Sequence, residues 1–439
     1  MNKLWHEIRD PIHTFVRLDS EDRLVLDSTP FQRLRDIQQL SMSHFVYPGA
    51  THKRFEHSLG VMELASRAYD SLTQPHKIEQ VRGLLDQLDS PEKVARWRRV
   101  VRMAALCHDM GHFPFSHASE HLLPAGWDHE RMSRALTFSE EMQDIWQKGM
   151  DAPMRAEEIA DLAVGPDPDS PEAFPAWKAV LREIITSDVF GVDRMDYLLR
   201  DSHHTGVAYG RFDHHRLIDT LRFLPEAPTG DDGTDSEGAP TLGVEEGGLQ
   251  SAEQLLLARY FMFSQVYLHR VRRIYDIHLS DFLTAMLRER DGHLPTDPAE
   301  HLAMSDVEVV SEMRIAADDS GHPGHDPARR ILRREHFRVL YTSQPADRQI
   351  NPDPSRAVYD ALVEELGDDR SVRRDRYSQR GASQEFPVLV DGKSESSTSL
   401  SDVLRQVPPA RTDCVYVAPE IREEAERWLK EKMTKVLES

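Results

Sequence analysis

The chain has 439 residues, with 54 Lys and Arg against 75 Asp and Glu, for a net charge of −21. That balance excludes a sequence-blind binder of nucleic acid or of anionic membranes, but leaves room for a local basic pocket around a phosphorylated small molecule. Cys107 and Cys414 are the only cysteines, so no disulfide framework is expected and a reducing, cytoplasmic setting fits.

The first residues, Met-Asn-Lys-Leu-Trp-His-Glu, lack the apolar run of a signal peptide. No segment is long and apolar enough to span a bilayer. The length suits one large domain with an appended lobe. The division expected is a helical core over residues 1–290, including an N-terminal regulatory segment, and an α+β lobe over 291–439. The fold class expected is therefore mainly α.

In chain order, Asp10-Pro11-Ile12-His13 precedes Thr14–Leu18, which reads as a strand pairing with its neighbours. Asp27-Ser28-Thr29-Pro30 reads as a helix start, a capping residue with proline just inside, and Phe31, Leu34, Ile37 and Leu40 follow at helical spacing. After a Pro48-Gly49 loop, a helix carries His57, Gly60, Val61, Leu64, Ala65 and Ala68 on one face, so His57 heads an apolar stripe. Alone, His57 would read as a core histidine bonded to a backbone carbonyl.

Polar residues 75–95 connect to a helix over 97–109. Its Trp97, Val101, Ala104, Ala105 and His108 fall on one face, and Gly111 and Pro114 then stop it. His108 ends that stripe as His57 begins its own, and Cys107 beside it is ordinary core. A buried His next to a buried Asp needs compensation, for which a metal ion is one route. Residues 128–163 read as helical, ending in the loop Gly165-Pro166-Asp167-Pro168. A third helix, over Ile184–Ser202, places Val189, Asp193, Asp196, Tyr197, Arg200 and Asp201 three and four apart. Its plain reading is a solvated charged face.

Residues 225–240 read as an acidic hairpin tip, and Leu255–Leu287 as a long helix with a basic cluster at 270–273. A second His-Asp pair, His325-Asp326, falls within residues 318–326 at a Gly-His-Pro-Gly run and is placed on a loop as a decoy. The tail alternates strands (Phe337–Tyr341, Phe386–Val390, Asp413–Val417) with polar connections and ends in a charged helix from Pro419. There is no internal repeat.

His57, His108-Asp109 and Asp193 thus stand on three helices. Two imidazoles and two carboxylates suit one divalent ion with mixed N/O preference: Mn, Fe, Zn, Ni or Mg. Four protein ligands leave positions for water and substrate, unlike the closed, cysteine-rich shell of structural zinc. His112, His117 and His129 follow closely, with Glu120 and Glu130 near enough to pair with them, which suits proton transfer near neutral pH.

Lys53-Arg54-Phe55-Glu56-His57-Ser58-Leu59-Gly60, the run from Leu106 to His117, and Asp193–Asp201 together resemble the deoxynucleoside triphosphate triphosphohydrolases of the HD-domain phosphohydrolase superfamily. Asp10–His13 and Phe31–Arg35 fit the same family, and the likeness runs to about Pro345. The resemblance implies one metal on His57, His108, Asp109 and Asp193, and hydrolysis at the α-phosphorus to deoxynucleoside and intact triphosphate. It implies phosphate contact by Arg54. His112 and His117 would lie near the α-phosphate or leaving 5′ oxygen, and His129 would pair with Glu120 as a proton relay. Gln39 and Asp201 would bind the 3′-hydroxyl, Tyr197 would exclude a 2′-hydroxyl, and Tyr275 would lie near the base. Asp27, Gln32, Arg35 and Arg334 resemble an activating-nucleotide pocket between subunits of a homo-oligomer, dimer or tetramer. Asp276 departs from the glutamine that the animal member of the resembled family has there, which leaves base preference open. The alternatives are an HD phosphohydrolase acting on another nucleotide or on nucleic-acid ends, and a catalytically silent nucleotide sensor. The Tyr197, Gln39 and Asp201 set favours deoxyribose, and the acidic charge disfavours a polymer.

Overall fold

A computed structural model describes residues 5–79, 83, 85–170, 173–225, 239–288, 292–366, 369–379 and 385–438. Helices dominate it. The central ones are Arg54–Leu72, Pro91–Cys107, Ala156–Val164, Ala176–Thr186 and Val192–Thr205, packed on one another around a shared apolar core. Local chemistry starts the second of these: Ser90 Oγ accepts from the Lys93 amide and Pro91 occupies the first turn. Its buried face, Trp97 with Val100, Val101, Ala104 and Ala105, lies against Leu64, Ala65 and Ala68 of the first helix. Each fully buried Val or Leu contributes about 1.5–3 kcal/mol. The first and last helices approach so closely that a Cβ at Gly60 would strike the carboxylate of Asp196 and the guanidinium of Arg200.

The helix expected over Ile184–Ser202 is two helices, Ala176–Thr186 and Val192–Thr205, broken at Ser187–Gly191. Gly191 meets backbone atoms of Ile185 and Ser187 with no room for a Cβ, and the second helix starts afresh with Asp193 in its first turn. The helix expected over 97–109 begins at Pro91 and ends at Cys107, with His108 as its cap residue. The start expected at Ser28 gives only one turn, Thr29–Gln32, continued as a 3-10 turn to Asp36.

His6–Asp10 and Thr14–Leu18 form an antiparallel hairpin, so the strand read at Thr14–Leu18 has its partner immediately upstream. Leu221–Pro225 and Pro240–Glu245 pair antiparallel; the acidic tip expected between them lies outside the described residues. Leu249–Met262 runs through a π-helical turn, Phe263–Tyr267, before Arg270–Leu287. His325-Asp326 opens the helix His325–Leu332, contrary to the loop expected there. Pro327 sits in the first turn, where its missing N–H has no intrahelical partner to lose.

The hydrophobic packing does not part at residue 290. Helices Asp306–Asp318 and His325–Leu332 join the main core through Val309, Met313, Ala328 and Ile331. The tail later returns to that core: Pro387–Val390 pairs parallel with Pro240–Glu245 and antiparallel with Lys393–Ser396. What packs separately is a three-stranded antiparallel sheet, Arg338–Thr342, Arg411–Val417 and Val372–Ser378, with helices Pro354–Leu366 and Arg422–Glu438 on one face. Its other face, through Phe337 and Tyr416, meets Ile274 of the helix Arg270–Leu287.

Candidate active site

Three of the central helices, Arg54–Leu72, Pro91–Cys107 with its cap residue, and Val192–Thr205, deliver His57, His108 and Asp193 to one point, where their ligand atoms lie within 4.8 Å of one another. His57 Nε2 is 3.0 Å from Asp193 Oδ1 and 3.7 Å from Asp109 Oδ2. His108 Nε2 is 3.4 Å from Asp109 Oδ1 and 3.6 Å from Asp193 Oδ1. His108 Nδ1 donates to the Ala105 carbonyl at 2.8 Å, which fixes the tautomer. Its Nε2 is then left buried with no hydrogen-bond partner, a lone pair facing two carboxylates. A divalent ion would use that imidazole nitrogen and both carboxylates at once, so the residues present fit one.

The His57 imidazole tells the same story. Burial alone would push it down, but hydrogen bonds to Asp193 and Asp196 raise it to about 10. Asp109 is held well below the usual carboxylate range: burial opposes ionisation, but Arg54, His108 and His112 outweigh it.

The sequence reading missed what stands behind His57. Asp196 Oδ2 accepts from His57 Nδ1 at 2.8 Å, while its Oδ1 lies 2.7 Å from His13 Nε2. Arg200 donates to both oxygens of Asp196 and, through Nη1, to Asp10 Oδ2 at 2.9 Å. Asp10 Oδ1 in turn accepts the amides of Ile12 and His13. The short Asp10–His13 turn is therefore a buttress for one imidazole. Such carboxylate–histidine contacts orient a metal ligand and raise its basicity. Helical spacing signalled the position of Asp196 and its pairing with Arg200, one turn on, but nothing in the sequence signalled its contacts with His57 and His13.

On the other side, Arg54 donates to Asp109 Oδ2 and, through Nε, to Ser116 Oγ at 2.8 Å. His112 Nε2 is 3.1 Å from Asp109 Oδ1. The His112 ring stacks on that of His129 at 4.0 Å, and His129 Nδ1 bonds Glu120. Gly111 makes this stack possible, because a Cβ there would collide with the backbone of His129 and Ser133. Burial, then Arg54 and His129, push His112 well down. Burial also opposes a charge on His129, but Glu120 more than compensates and raises it. The side chain of His117 lies outside the described residues.

The loop carrying these histidines is strained. Phe115 and Ser116 both have positive φ, 58° and 56°, each costing about 1–3 kcal/mol. Buried Asp306 holds the loop in place: Oδ1 accepts from Phe115 N at 2.8 Å and Oδ2 from Gln38 N at 2.7 Å. Arg33 reinforces it by donating to the carbonyls of His112 and Met304.

Of the residues read as sugar contacts, Tyr197 and Asp201 lie along one face of the helix Val192–Thr205 and Gln39 lies outside it. Asp193, Tyr197 and Asp201 are successive turns apart, so the acid at the far end is about 12 Å along the axis from the metal cluster. Asp201 Oδ1 is 2.7 Å from His52 Nε2, and the Gln39 backbone N–H donates to the His52 carbonyl. Gln39 Oε1 is buried without a partner. Tyr275 is placed differently: fully buried, it stacks between Phe45 and His336, with ring centroids 4.7 Å from each.

The four residues read as a nucleotide pocket do not meet in one chain. Asp27 and Gln32 line a cavity of about 430 Å³ with Arg33, Asp36, Ser305 and Glu308. Arg35 bonds Gln32 Oε1 but faces a neighbouring cavity of about 290 Å³ with Arg9, Lys53 and Phe55. Arg334 donates instead to the Phe45 carbonyl. No helix among the described residues is long and apolar enough to cross a membrane.

Residues 54–201 match the HD domain family, a span that begins at Arg54 and ends at Asp201, and residues 212–433 match the HD-associated region. The chain is 34% identical over 309 residues to the uncharacterized protein MJ1154 of Methanocaldococcus jannaschii, covering 70% of this chain and 55% of that one. It is 32% identical over 435 residues to the deoxynucleoside triphosphate triphosphohydrolase SAMHD1 of Homo sapiens, covering 90% of this chain and 62% of that one. It thus spans less than two thirds of both relatives. A crystal structure of a hypothetical protein from Aquifex aeolicus superposes with a TM-score of 0.76 at 31% identity, over 97% of this chain and all of that one.

Proposed function

Because this chain belongs to the HD-domain family, with the HD-associated region following its HD domain, we propose that it is a metal-dependent phosphohydrolase that cleaves deoxynucleoside triphosphates into deoxynucleoside and inorganic triphosphate. One observation carries the reading. A single helix face bears Asp193 in the candidate metal cluster, then Tyr197, then Asp201, each one turn further on. Phosphate chemistry and sugar recognition therefore share one rigid element.

His57, His108, Asp109 and Asp193 would hold the ion, which supplies Lewis acidity toward the phosphoryl group. Arg54, already paired with Asp109, presents positive charge where the triphosphate would lie. Hydrolysis breaks the bond between the α-phosphorus and the 5′ oxygen: the oxygen of water joins phosphorus, and the 5′ oxygen takes a proton. His112, beside Asp109, and His129, bonded to Glu120 and stacked on His112, would be the groups that exchange that proton with the reacting oxygens. Tyr197 would reject a 2′-hydroxyl by contact, and Gln39 with Asp201 would accept and orient the 3′-hydroxyl.

The same reading includes nucleotide activation in a homo-oligomer. Arg334 donates to the Phe45 carbonyl and does not line the cavity of Asp27 and Gln32, which is compatible with a pocket completed by a second copy. The test is to incubate the purified protein with Mn or Mg and each dNTP, alone and mixed, and to identify the products. Deoxynucleoside with intact triphosphate is the expected result; release of pyrophosphate or orthophosphate, or no turnover of any dNTP mixture, would overturn the reading.

A further inference from the structure

Asp201 is held from two sides. His52 Nε2 meets Oδ1 at 2.7 Å, and the Tyr267 hydroxyl donates to Oδ2, also at 2.7 Å. All three groups belong to different elements, and none is a ligand of the metal cluster. The ring of Tyr267 also stands edge-on to Tyr197, with centroids 6.2 Å apart and planes at 72°. One side chain thus touches both residues of the helix face proposed to read the sugar.

Its backbone position is unusual as well. Tyr267 closes the π-helical turn Phe263–Tyr267, an insertion that re-aims a side chain and recurs at functional sites. Two contacts fix that turn: Arg272 donates to the Tyr267 carbonyl and the Tyr47 hydroxyl to the Gln265 carbonyl. A regular helix would carry residue 267 round by a different angle, away from Asp201.

We infer that Tyr267 is a specificity-determining positioning residue, whose hydroxyl orients Asp201 to accept a nucleotide 3′-hydroxyl and whose ring backs Tyr197 against a 2′-hydroxyl. An ionised carboxylate has four acceptor sites. His52 and Tyr267 occupy one on each oxygen and fix the rotation of the group, which leaves further sites for a hydroxyl donor. Burial and Asp201 keep the Tyr267 hydroxyl protonated, hence a donor, far above neutral pH. The inference rests on the dNTP reading above, and its two parts separate by substitution. Tyr267→Phe removes the hydroxyl and keeps the ring; Tyr267→Leu removes both.

The experiment compares dNTP, its 2′,3′-dideoxy counterpart and the ribonucleotide on metal-loaded wild type and both variants, by KM and kcat. Calorimetric binding without divalent metal gives a readout independent of turnover, and thermal unfolding confirms that each variant is folded. Tyr267→Phe should weaken dNTP about tenfold in KM and Kd, typical of one hydrogen bond to a charged group, while leaving the dideoxy nucleotide and kcat unchanged. Tyr267→Leu should add a loss of discrimination against the ribonucleotide. Equal weakening of dNTP and dideoxy nucleotide by Tyr267→Phe, or none, would overturn the inference while the dNTPase reading stands. Wild type that binds the two equally would overturn the assignment of Asp201 to the 3′-hydroxyl, and the inference with it.

Discussion

The surroundings of His57 and those of Asp27 are built in opposite ways. Behind His57, Asp196, His13, Arg200 and Asp10 form a closed chain of hydrogen bonds, all buried, within one chain. Around Asp27 and Gln32 there is an open cavity; Arg35 bonds Gln32 but lines the neighbouring cavity, and Arg334 donates to the Phe45 carbonyl. Preorganised chemistry needs its supporting groups fixed before substrate arrives. A site meant to respond to concentration and assembly gains from being incomplete in the single chain, because binding there can then shift a population.

Substitutions can break or sharpen that contrast. The largest effect is expected at Asp193: Asp193→Asn should remove turnover, with a loss of at least 10³-fold, and little change in thermal unfolding. Near-normal activity in metal-loaded Asp193→Asn would remove Asp193 from the ligand set. Behind it, Asp196→Asn should weaken metal affinity 10–100-fold, as other outer partners of metal-bound histidine do; titration with Mn measures it directly. An unchanged metal dissociation constant would make the network purely structural.

Asp306 stands between the two regions, since Ser305 and Glu308 line the cavity while Asp306 itself holds the histidine loop. Burial raises its carboxyl to about 6, from an ordinary 3.8. A group raised on folding stabilises below its unfolded pKa and loses that contribution as pH rises through the folded value. Wild type should therefore lose up to about 3 kcal/mol between pH 4 and 7 from this group. Asp306→Asn lacks that term, so its unfolding curve should be flatter over the same window. Parallel pH dependence in the two proteins would contradict it. The smallest change is expected for Asp27→Ala, which should leave basal hydrolysis of a single dNTP intact and cut the stimulation by a second nucleotide several-fold. Equal stimulation in the variant would detach the cavity from regulation.

Much of the candidate site was legible because helical spacing assigns faces. His57 and His108 head and end apolar stripes, which put both imidazoles inside without any knowledge of the fold. The carboxylates on Val192–Thr205 were legible in the same way, although the helix was drawn too long across Gly191. His325-Asp326 was misplaced because the Gly-His-Pro-Gly run was read as excluding a helix, whereas it ends at Gly324, the residue that caps the helix starting at His325. The return of Pro387–Val390 to the main core was hidden, since a strand carries no record of which distant edge it joins.

The sequence by itself determined the local terms: which residues lie on the inner faces, where the chain turns, and that two imidazoles and two acids sit on separate helices. Those follow from spacing and backbone preference over a few residues. Only the tertiary structure decided that Asp196 faces His57 from 139 residues away, that Tyr267 reaches Asp201, and that Arg334 stays apart from Asp27. Hydrogen bonds across such separations depend on how whole helices pack, and packing is a property of summed buried surface rather than of any motif.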